Sequence, residues 1–156
     1  MTADISPCGT YRYSLTRKTK CPLRWVRPAL FIMLNPSTAD ATKDDPTIRR
    51  CISFAEREGC TDLTVVNLFA LRATNPKELL VHTDPIGPLN DQKVKEMMEK
   101  HQNHLIVAAW GANKFAQERG TLMKFLWGPL LCLGKNNDGS PKHPLYVKGD
   151  APLVEL

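Results

Sequence analysis

Four runs of apolar residues punctuate the chain: residues 29–34 (ALFIML), 63–68 (LTVVNL), 105–109 (LIVAA) and 130–133 (LLCL). Each has the length of a strand and lacks the polar alternation of a half-exposed one, which is the pattern of strands buried on both faces. Between the runs the period lengthens to that of a helix. Asp45 offers an N-cap with Pro46 at the first helical position, and Ile48, Cys51, Ile52 and Ala55 recur at helical spacing until Gly59. A second helix is predicted from a cap at Asn90 or Asp91 to about His101, with Val94, Met97 and Met98 on one face. A third follows Trp110-Gly111 and runs to about Leu126.

Strands alternating with helices predict an α/β fold, a three-layer α/β/α arrangement around a central, four-stranded, mainly parallel sheet. Residues 11–15 alternate weakly, and Arg17-Lys18-Thr19-Lys20 with Pro22 behind reads as a turn, so a short N-terminal strand or hairpin is expected. No repeat or linker divides the chain. Its 156 residues are read as a single domain with room for a core.

In an open parallel sheet the carboxyl ends of the strands share one edge, and ligands bind in the crevice there. Four polar breaks therefore converge: Asn35 to Thr38, Asn67 to Arg72, Trp110-Gly111, and the stretch from Gly134 to Tyr146. In the first, Asn35 offers an amide, Pro36 stiffens the chain, and Ser37 and Thr38 add hydroxyls. Such a loop suits a held water or the edge of a heterocycle, and equally suits ordinary turn chemistry. It has no strong general base unless Asp40, Asp44 or Asp45 folds inward. Asn67 in an apolar strand either glues a neighbouring loop or reads a ligand, since an unpartnered amide there is costly. Trp110 can stack on a base or close the core. His143, between Lys142 and Pro144, can donate to a developing anion or a phosphate, or can be a surface histidine. Arg49, Arg50 and Arg72, with Lys142, are candidates for phosphate contacts, against ordinary ion pairing with Asp44 and Asp45.

Composition narrows the field without choosing. The 42% hydrophobic and 24% charged residues fit a soluble globular protein. No apolar stretch is long enough for a bilayer and no signal-peptide pattern opens the chain, so a cytoplasmic location and no membrane partner are expected. The net charge of +5 permits phosphate contacts. Five scattered cysteines without a CxxC pair predict reduced thiols rather than disulfides, and neither a metal site nor a cofactor is expected. There is no glycine-rich phosphate loop, HExxH or nucleophile elbow.

From about Tyr11 to Val147, the segments LNPSTAD, DDPTIRRC, VVNLFALRAT, DPIGPLN, AAWG and PKHPLY, in that order, resemble the domain-of-unknown-function family 1643. The order of motifs is also similar, more remotely, to the uracil-DNA glycosylase superfamily. That resemblance implies a glycosylase-like fold and cleavage of an N-glycosidic bond, with DNA rather than RNA, or a free nucleotide, as partner. It assigns the water-orienting role to Asn35 in Leu34-Asn35-Pro36-Ser37, and stabilisation of the departing base anion to His143. It implies base contacts from Asn67, Phe69, Trp110 and Gly111, with Pro36, Ser37 and Thr38 in the first loop, and a duplex-wedging role for Leu145 or Tyr146. Leu34 stands in place of the superfamily's glycine, and Leu145 in place of the serine after its His-Pro pair. Two other readings of the same residues remain: a base-binding module without turnover, and an enzyme of free nucleotides.

Overall fold

A computed structural model describes residues 1–22 and 24–156. The three helices form where the apolar period predicts them. In α1 (Pro46–Arg57) the Asp45 carboxylate accepts from the Ile48 amide, and Ile48, Cys51, Phe54 and Ala55 are buried. Helix α2 spans Asn90–His101 and α3 spans Gln117–Trp127, the latter after a 3-10 turn at Lys114–Ala116. The cap expected at Asn90 or Asp91 is not formed: Leu89 occupies that position, with no side-chain cap bond. Asn90 instead turns inward and donates to the carbonyls of Asn67 and Leu68.

The sheet is larger than expected, with seven strands rather than four, and it is mixed. The strands are β1 (Thr2–Ile5), β2 (Arg12–Lys18), β3 (Pro28–Met33), β4 (Asp62–Asn67), β5 (Leu105–Ala108), β6 (Leu131–Cys132) and β7 (Val154–Glu155), in the order β1-β2-β4-β3-β5-β6-β7. Pairing is parallel from β4 through β3 and β5 to β6, and antiparallel at both margins. The N-terminal hairpin is thus β1 and β2, and Arg17 and Lys18, expected in a turn, belong to β2.

Alternation along β3 divides the core. Ala29, Phe31 and Met33 pack with α1 on one face, while Leu30 and Ile32 pack with Val94 and Met98 of α2 and Met123 of α3 on the other. This is the physical content of the double burial predicted for these runs: each residue of the strand meets a helix-covered face. Among the described residues, no helix is long and apolar enough to cross a membrane. All five cysteines are free thiols.

One irregularity positions a side chain. In the β1–β2 pair Asp4 opposes Ser14 but Ile5 opposes Arg12, so β2 carries one extra residue, Tyr13. Cross-strand partners share a face, and a bulge of this kind re-aims the residue beside it. Arg12 is therefore brought to the α1 face, the one that also holds Leu15.

Candidate functional site

At the carboxyl edge of the parallel strands lies a cavity of about 610 Å³, within the range of small-molecule sites. The end of β3 contributes Leu34, Asn35 and Ser37, β4 contributes Asn67, and the turn after β5 contributes Trp110 and Gly111. The loop after β6 supplies Asn136, Lys142, His143, Leu145 and Tyr146, and the start of α1 supplies Asp45 and Thr47. The four polar breaks do converge.

Local chemistry fixes each group. Asn35 donates through Nδ2 to the carbonyls of Pro36 (3.0 Å) and Ala73 (2.8 Å), and the Ala73 amide returns a bond to Pro36. These bonds orient the amide and leave Oδ1 as an acceptor with no partner among the described residues. Gly111 sits at φ 80°, the left-handed turn that lets the chain leave β5 directly beneath His143, whose Cβ would lie 3.5 Å from any added Cβ. Asn136 closes the preceding turn through its bonds to Ser140 and Pro141.

The His143 loop is pinned from the side by Arg50, which donates to the carbonyls of Pro144 (3.3 Å) and Val147 (2.6 Å) while lying over the Phe54 ring. His143 Nδ1 accepts from the Leu145 amide, so the neutral ring carries its proton on Nε2. Burial pulls the His143 pKa below its ordinary value, with Asp45 opposing. At neutral pH the group is an uncharged N–H donor at the cavity wall.

Asn67 is 1% exposed, and both its Nδ2 and its Oδ1 lack a hydrogen-bond partner among the described residues. The alternative of structural glue for Asn67 is thereby disfavoured, because glue requires a partner. The question of an inward carboxylate is answered by Asp45. One of its oxygens caps α1, and the residue lines the cavity. Asp44 is turned away to Arg17, and Asp40 is turned to the amides of Thr42 and Lys43.

Other candidates stand elsewhere. Pro36 is buried beneath the first loop and Thr38 is exposed beside it, neither lining the cavity. Phe69 packs edge-on against Phe115 with Arg119 over its ring. Arg49 donates to the Asp44 carbonyl, Arg50 is engaged as described, and Arg72 donates to the Gly9 carbonyl; none of the three lines the cavity. Trp110 is buried against Gly120, where a Cβ would come within 2.9 Å of the indole, yet it also forms part of the cavity wall. The sequence reading missed Arg12, Asn113 and Asn136 as lining residues.

No curated protein and no solved structure matches the chain. Residues 12–145 match the family described as protein of unknown function (DUF1643), and the chain belongs to that family.

Proposed function

We propose that the cavity receives a nucleobase and that the protein hydrolyses the N-glycosidic bond joining the base to its sugar. The observation that carries this reading is Asn67, a buried amide at the cavity whose donor and acceptor have no partner among the described residues. A nucleobase edge offers the complementary pair, and a base extruded from its stack is read in this way in a pocket. The remoter likeness to uracil-DNA glycosylases in motif order supports the same reading.

The groups divide the work by their chemistry. As the bond between the base nitrogen and the sugar carbon breaks, its electron pair leaves with the base, and His143 Nε2–H donates to the anion that forms. The sugar carbon becomes cationic. Water held by Asn35 Oδ1 adds to it, and the Asp45 carboxylate stabilises the cation and accepts the water's proton. Leu145 and Tyr146, the latter 82% exposed, stand at the rim where a strand of DNA would pass.

A specific observation favours a second substrate for the same chemistry. The arginines expected to hold a DNA backbone lie outside the cavity, and Arg50 is bonded to backbone carbonyls. That arrangement suits a free nucleotide as well as a polymer. The test is a base-release assay on single- and double-stranded oligonucleotides and on free nucleotides carrying normal, deaminated and 5-substituted bases. Release that is lost in Asn35→Ala and His143→Ala is expected; no release from any substrate by the wild-type protein would refute hydrolysis.

A further inference from the structure

Two arginines on β2 are almost completely buried, Arg12 at 2% and Arg17 at 1% exposure. Their surroundings differ in kind. Arg17 pairs with the Asp44 carboxylate at 2.6 Å and donates to the carbonyls of Thr16 and Asp40, among others. It is a satisfied structural cation. Among the described residues the Arg12 guanidinium donates only from Nη1, to the Ala39 carbonyl at 2.6 Å. Its Nε is buried without a partner, and no carboxylate lies within ion-pairing distance of it among the described residues. Asp45 and Asp40 attract it from farther away, while Arg72 and Arg17 repel it.

A buried guanidinium with an unpaired N–H is costly, and folded proteins rarely leave one so without a use for it. Arg12 lines the same cavity as Asn67, the other buried side chain there with unpartnered atoms. The bulge at Tyr13 is what puts it there. Lys142, on the loop after β6, adds a second positive charge to the cavity wall. The guanidinium fork, with Nε–H and Nη2–H side by side, matches two oxygens of one anionic group.

We propose that Arg12 is an anion-holding group of the cavity and that the ligand carries an anionic oxygen group, a phosphate monoester or a carboxylate, which the Arg12 fork binds. The proposal rests on the nucleobase reading for the rest of the ligand, with Asn67 at the base edge. It makes the preferred ligand acidic: either a nucleotide held by its phosphate or a base bearing a carboxylate.

The test is calorimetric titration of the wild-type protein and of Arg12→Gln and Arg12→Lys with four probes. These are inorganic phosphate, thymidine, thymidine 5′-monophosphate and 5-carboxyuracil, with far-ultraviolet circular dichroism confirming that each variant is folded. At least one anionic pyrimidine is expected to bind the wild type on the order of tenfold or more tightly than thymidine, the size of one charge-assisted contact. Arg12→Gln is expected to remove that preference while keeping thymidine affinity, and Arg12→Lys to keep part of it, since a point charge replaces a fork. Preference for the monophosphate identifies the phosphate as the anion, and preference for 5-carboxyuracil identifies the base substituent. Equal affinity for neutral and anionic probes, or a preference that survives in Arg12→Gln, overturns the proposal. Inorganic phosphate bound by the wild type but not by Arg12→Gln, with no pyrimidine bound, would sustain Arg12 and refute the nucleobase reading instead.

Discussion

Replacing Asn67 by leucine should make the protein more stable while emptying the site of its recognition group. Asn67 sits at the end of β4 with its amide nitrogen and oxygen both buried and unpartnered. An unmet buried polar group costs about 1–3 kcal/mol, and replacing it with an apolar side chain of similar shape removes that cost. Leucine also adds apolar contact beside Met33 and Val65, which line the same cavity. For a chain of this size about 1 kcal/mol moves the melting temperature by about 2–4 °C, so a rise of roughly 2–12 °C is expected. The neighbouring Asn90 supplies the control. Its Nδ2 donates to the carbonyls of Asn67 and Leu68 at 3.0 and 3.2 Å, the second of which also accepts from Arg119 Nε, while its Oδ1 has no partner among the described residues; Asn90→Leu therefore loses two bonds, sheds one unmet acceptor and should destabilise by about 1 kcal/mol. Differential scanning calorimetry of both variants, with base binding measured alongside, checks the pair. A Asn67→Leu protein that melts below the wild type would refute the reasoning, because it would show that the Asn67 amide is satisfied in the folded protein.

Further expectations concern the frame of the site. Arg50→Met removes the bonds to Pro144 and Val147 and should lower stability by about 1–3 kcal/mol in urea unfolding; it should also weaken ligand binding through the loosened His143 loop. Gly87→Ala places a Cβ 2.9 Å from the Tyr11 ring at φ 90° and should cost about 1–3 kcal/mol by the same measurement. His101 and His143 both have pKa values lowered chiefly by burial, so the unfolded chain takes up their protons first. Stability is therefore unaffected by them above the ordinary value of 6.5 and falls as pH drops through it. Urea unfolding at pH 7.5 and 5.5 should show that loss, and His101→Gln should reduce it; an unchanged loss in that variant would remove His101 from the account.

The sequence makes the centre of the sheet legible because burial on both faces leaves uninterrupted apolar runs, as in residues 29–34 and 63–68. It marks α1 equally well, since Asp45 and Pro46 carry their capping chemistry locally. The margins are hidden. β1 and β7 are short and partly exposed, with nothing in Thr2–Ile5 or Val154–Glu155 to distinguish a strand from a loop until a neighbour pairs with it. Arg17 and Lys18 read as a turn because basic residues are usually solvated, whereas Arg17 is buried by partners drawn from residues 40–44, far along the chain. The same division runs through the site. Asn35, Asn67 and His143 are found by the rule that strand ends converge. Arg12 depends on a one-residue register shift, which no local pattern announces, and the engagement of Arg50 depends on a loop almost a hundred residues away.

The extra residue in β2 also bears on how ligand preference is kept in descent. A chain shortened by one codon at Tyr13 would pair Arg12 with Ile5 in plain alternation, with Ser14 still opposite Asp4, and would leave the guanidinium on the same side of the sheet. The bulge therefore lets the strand carry or lose one residue there without turning the buried cation out of the cavity wall, whereas a substitution of Arg12 itself would remove it. Relatives of this protein can thus differ in the length of this strand and keep the same taste for acidic ligands.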